Sequence, residues 1–155
     1  MSNIDKYLNI VEDGIRQIGI DPVPCRGERV GQWNLVKGSA NVWLDLWHIE
    51  REGRVYFQAM SPIIEYKSVT NKAALAEEML QINHQLYGVA FTIYEGFAYI
   101  KVIREADGMD ATEANAMIVR VGSYADQYDD YLKGKYSSAP PPPPTTWGGG
   151  APPTT

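Results

Sequence analysis

The residues able to do covalent or metal chemistry are few. The chain has one cysteine and two histidines. Cys25 has Arg26 and Arg29 beside it in sequence, and these cations would favour its thiolate if they lay close in space. A nucleophilic cysteine also needs a base, and only His48 and His84 are available. His48 falls in a strand pattern and His84 in a helix pattern, and no local signature joins either to Cys25. A structural or incidental cysteine is expected. The histidines lack the HxH, HExxH or facial-triad spacing that gathers metal ligands, so neither a metal nor a cofactor is expected.

The acidic residues offer no better case. Asp107 and Asp110 suit a turn and a helix N-cap, and Glu113 suits the first helical turn, where acids favour the dipole. Paired carboxylates for glycoside chemistry need opposite walls of a cleft, and the sequence singles out no such pair. Asp126, Asp129 and Asp130 lie near the end of a helix pattern, where negative charge opposes the dipole. Asp126 and Asp130, four apart, could meet cations on another element; ordinary solvated charge is the expectation. No catalytic residue is assigned, and the chain is expected not to be an enzyme.

The aromatic residues are more informative. Trp43, Trp47, Tyr56, Met60 and Tyr66 could line one apolar surface. Broad aromatic and Met-rich contact suits recognition of another polypeptide, whether a client peptide or a second copy of this chain. Packing within the monomer is the plainer alternative. A second candidate is the run Pro140, Pro141, Pro142, Pro143 and Pro144 with Trp147 beyond it. Such a run favours extended polyproline II, which docks on aromatic grooves, although a linker of the same composition needs no partner.

These candidates must be placed by elements. Ile4, Leu8, Val11, Ile15 and Ile18 recur at helical spacing over residues 3–18. Strands are predicted over 33–37, 41–50 and 54–60, joined by tight turns. A helix over 71–87, capped by Thr70 or Asn71, carries Leu75, Met79, Ile82 and Leu86 on one stripe. A hairpin of 89–94 and 97–104 follows. A final helix starts at Asp110 or Thr112 and runs to about 133. The order is α-β-β-β-α-β-β-α, which predicts an α+β fold: an antiparallel five-stranded sheet packed with helices.

The strand faces carry an oddity. In 41–50, Val42, Leu44, Leu46 and His48 point one way and Trp43, Asp45, Trp47 and Ile49 the other. Both sides are largely apolar, as they are in 54–60, where Val55, Phe57 and Ala59 oppose Tyr56, Gln58 and Met60. A half-solvated sheet should alternate more cleanly. Something beyond the helices is expected to cover the second face, and a partner subunit is the simplest cover.

Composition excludes several classes. The formal charge is -5 at pH 7, from 14 Lys plus Arg against 19 Asp plus Glu, and no basic cluster offers a nucleic-acid footprint. No apolar run approaches the roughly 18–20 residues of a membrane span. The acidic N-terminal stretch does not read as a signal peptide, so a cytoplasmic protein is expected. Of the ten prolines, seven fall in residues 137–155, which divides the chain into a domain over 1–136 and a disordered Pro/Gly-rich tail over 137–155.

Several positions together resemble the YbjN-like family of bacterial proteins. They are Trp33, Gly38-Ser39-Ala40, Met60-Ser61-Pro62, Leu80, Asn83, Leu86, Gly88, Val89, Phe91, Gly108-Met109-Asp110, Arg120 and the run 125–130. The resemblance spans roughly residues 5–136. It implies a fold like that of the type III secretion chaperones, small acidic α/β homodimers that bind unfolded segments of exported proteins. It also implies a sensory or regulatory role. The function expected is therefore non-catalytic protein binding, as a homodimer with a protein or peptide client. The alternatives are a small-molecule sensor, an uncharacterised enzyme, and a structural protein without a separate ligand.

Overall fold

A computed structural model describes residues 3–137. The chain runs α1 (Asp5–Arg16), β1 (Gln32–Lys37), β2 (Ala40–Ile49), β3 (Arg54–Ile64), α2 (Lys72–Asn83), β4 (Ala90–Tyr94), β5 (Phe97–Glu105) and α3 (Ala111–Tyr136), with short 3-10 turns at Val23–Cys25 and Tyr66–Ser68. The five strands form one sheet in the order β1-β2-β3-β5-β4, every neighbouring pair antiparallel. The predicted element order and sheet are those observed.

The helices pack on the sheet face that carries Val42, Leu44, Leu46, Phe57, Ala59 and Ile100. Val11 and Ile15 of α1, Leu75 and Met79 of α2, and Ile118, Val121 and Leu132 of α3 complete that core. Gly14 is what lets α1 and α3 approach. A Cβ there would lie 2.9 Å from the Ala111 carbonyl oxygen and 3.1 Å from the Ala114 Cβ. The Asn115 amide uses the same proximity to donate to the Gly14 carbonyl at 3.1 Å.

Two boundaries differ most from expectation. β3 continues past Met60 to Ile64, through Ser61 and Pro62. A proline inside a central strand cannot donate to the ladder. Here the register shifts between Pro62 and Ile64, and the irregularity absorbs it. α2 stops at Asn83 instead of running to 87. The Asn83 side chain explains the stop: it accepts from the Phe91 backbone N–H at 2.7 Å and donates to the Phe91 carbonyl, tying the helix end to β4.

The acids find structural work. Asp110 and Glu113 form a reciprocal capping box at the start of α3. Asp126 accepts from the Ser39 backbone N–H at 3.2 Å and from its hydroxyl at 2.6 Å, and Asp129 accepts from the same hydroxyl. Asp126 therefore holds the β1–β2 turn, which corrects the expectation of ordinary solvated charge. Gly38 sits in that turn at φ +61 with the Asp126 carboxylate against it, a conformation and a clearance that suit only glycine.

At its other end α3 is tied to α2. Glu78 accepts from Lys135 at 2.8 Å and from the hydroxyls of Tyr131 and Tyr136, each at 2.5 Å. Burial pushes the Glu78 carboxyl up, but these three donors outweigh it and hold it at about 2. Among the described residues no helix is long and apolar enough to cross a membrane.

Candidate functional site

The alternation of β2 sends Trp43, Asp45 and Trp47 to the sheet face opposite the helices. The register builds that face in rows. Asn34, Trp43, Met60, Lys101 and Ala90 pair across all five strands. The next row is Gln32, Asp45, Gln58 and Ile103, and a third is Trp47, Tyr56 and Glu105. No element among the described residues lies over these rows. The face is open.

Even so, its large side chains are mostly out of water. Trp43 is 2% exposed and Trp47 8%. Trp47 stacks on Tyr56 with centroids 6.1 Å apart, and Trp43 meets Tyr99 at 6.0 Å, which in turn meets Phe97 at 6.2 Å. Ile103 stands out at 43% exposed. The result is a pre-formed aromatic floor with an apolar rim.

Polar groups are set into this floor. Asp45, 1% exposed, pairs with Arg29, which reaches over from the loop before β1 and also donates to the Leu46 carbonyl at 3.1 Å. Burial lowers the Arg29 guanidinium pKa, and the ion pair opposes that cost. The Gln58 amide donates to the Met60 sulfur at 3.2 Å. The Tyr56 hydroxyl donates to Glu52 at 2.9 Å, and this bond, with burial, raises the phenol pKa. The Trp47 indole N–H is buried without an acceptor among the described residues. Lys101 is half-buried in the row of Trp43 and Met60 with neither ion pair nor hydrogen bond among the described residues, and burial pushes its ammonium pKa down.

Four of the five residues expected on one surface thus share it: Trp43, Trp47, Tyr56 and Met60. Tyr66 does not join them. It lies in the turn after β3, beyond the register shift, and packs against the helix-side core. Pro140 to Pro144 and Trp147 lie outside the described residues. Sequence reasoning passed over Arg29, Tyr99 and Lys101 as members of the face. The period-2 pattern of β5 places Tyr99, Lys101 and Ile103 together and was the available signal for two of them.

The reactive-residue candidates are not assembled. Cys25 sits in the Val23–Cys25 turn and donates to the Asp21 carbonyl at 3.5 Å. Its neighbours are engaged elsewhere: Arg26 grips the buried Glu12 through two bonds of 2.7 and 3.0 Å, and Arg29 grips Asp45. Burial and Asp21 raise the thiol pKa, opposite to the activation that two nearby arginines would give. His48 contacts Asn3 at 3.3 Å and His84 caps α2. No group of three potential metal ligands occurs among the described residues. A wide groove of about 750 Å³ lies where α1 begins, bordered by Lys6, His48, Arg54, Glu105 and Asp107. Arg54 and Glu105 there pair with each other.

Solved structures share this architecture. One chain of the ExsC–ExsE complex superposes with a TM-score of 0.61 at 12% identity, covering 90% of this chain and 100% of that one. The fold is type III secretion chaperone-like. A chain of the HopA1–SchA chaperone–effector complex gives 0.58 at 10% identity, covering 84% and 99%. The structure of the Yersinia pestis type III secretion chaperone SycH with a stable fragment of YscM2 gives 0.54 at 11% identity, covering 78% and 98%. No protein-family model and no curated protein matches the sequence. At these identities the likeness concerns the fold.

Proposed function

We propose that this chain is a non-catalytic protein-binding module, chaperone-like or regulatory, that acts as a homodimer and receives polypeptide on the open sheet face. One observation carries the reading: Trp43 with Met60 and Trp47 with Tyr56 form two aromatic rows on one sheet face that no described element covers. An aromatic floor of fixed rings loses little side-chain freedom on binding, so apolar contact there converts efficiently into affinity. The fold supports the reading, since the HopA1–SchA and SycH structures are complexes of chaperones with other polypeptides. The diffuse positions from Trp33 to Asp130 further suggest kinship with YbjN-like proteins. Residues 137–155 are read as lying outside the binding domain, with the proline run and Trp147 as a separate interaction segment.

Light scattering on a sizing column tests the assembly. A mass near twice the 17.3 kDa of one chain is expected. A clean monomer at micromolar concentration overturns the homodimer.

A further inference from the structure

The open face carries an unbalanced charge. The acids on the face itself are ion-paired: Asp45 with Arg29 and Glu105 with Arg54. The two ion pairs on the face cancel. Lys101 remains, in the row of Trp43 and Met60 and between Tyr99 and Ile103 along its own strand. It is half-buried and has no partner among the described residues. A polypeptide laid over Trp43, Met60 and Tyr99 would take Lys101 further from water, and an ammonium so covered demands an anion. The Trp47 indole N–H, also without an acceptor among the described residues, adds a further unused donor to the same face.

We propose that the face takes a polypeptide segment of another protein in which an Asp or Glu, flanked by apolar side chains, pairs with Lys101. This rests on the protein-binding reading and adds the chemistry of the partner. A second copy of this chain fits less well, because the copy would present the same engaged acids and a second unpaired Lys101. The overall charge of -5 makes the local excess of one cation more distinctive. An acidic, apolar segment is repelled by most of the surface and attracted at this point.

The test is a displayed library of random peptides selected in parallel on the full-length wild type and on Lys101→Glu. Circular dichroism first establishes that each variant is folded. Wild-type binders should carry an acid between apolar residues and bind Lys101→Met about tenfold more weakly, as expected for loss of a charge-assisted bond. Lys101→Glu should select Lys or Arg at the same place. Apolar binders without charge preference, or equal affinity for Lys101→Met, overturn the inference while leaving the protein-binding reading intact. Binders indifferent to Ile103→Glu, or no binders at all, overturn both. A wild-type dimer that Ile103→Glu splits into monomers gives the face to a second copy and overturns the inference and the placement of client polypeptide on this face, leaving the homodimer.

Discussion

Glu78 offers a quantitative check on how α2 holds the last turns of α3. Glu78→Gln keeps the shape and removes the charge that Lys135, Tyr131 and Tyr136 address. The carboxyl is held at about 2 against an ordinary 4.5. At about 1.4 kcal/mol per unit, a sealed network would contribute about 3 kcal/mol. Lys135 is 52% exposed, so screening reduces this to about 1–2 kcal/mol. Because the folded value lies below the unfolded one, the contribution is fully present above pH 4.5 and is lost as pH falls towards 2. Urea titrations followed by circular dichroism, on wild type and Glu78→Gln at matched pH, read the difference directly. It should be about 1–2 kcal/mol at pH 7 and shrink steadily between pH 5 and pH 2.5. A difference that is independent of pH, or absent at pH 7, refutes the reasoning.

Other consequences can be checked in the same way. Gly14→Ala gains helix propensity of about 1 kcal/mol but drives its methyl into the Ala111 carbonyl and Ala114, so a net loss of about 1–2 kcal/mol is expected in urea melts. Asp45→Ala leaves Arg29 without its partner beside buried aromatics. Since Arg29 is 36% exposed, the loss should be about 2–3 kcal/mol, and adding Arg29→Met should recover much of it. Cys25, its pKa raised by burial and Asp21, should react with iodoacetamide at pH 7.5 more slowly than it does in the urea-unfolded chain.

Much of this structure was legible because strand periodicity is local. Trp43, Asp45 and Trp47 against Val42, Leu44 and Leu46 required only alternate residues to be sorted. What escaped depended on distance along the chain. Arg29 reaches Asp45 from a loop whose path no periodicity describes. Asp126 meets Ser39 only because α3 crosses the β1–β2 turn. The irregularity after Pro62 shifts the chain out of phase, so Tyr66 could not be assigned to a face by counting. The end of α2 was set by Asn83 bonding to β4, a tertiary contact that overrode an apolar stripe continuing to Leu86. The sequence also showed a second apolar strand face without showing that no other described element covers it.

The central claim is that the open face, not the helix side, receives polypeptide. The indole N–H signals of a 15N-labelled protein test it most directly, with each tryptophan assigned by substitution to Phe. Trp33 is an internal control, since it is buried on the helix side and donates to Glu12 at 3.1 Å. On addition of an unfolded, apolar polypeptide the Trp43 and Trp47 signals should move together while Trp33 stays in place. A moving Trp33 with Trp43 and Trp47 unchanged, or no change in any of the three at saturating polypeptide, would contradict the account.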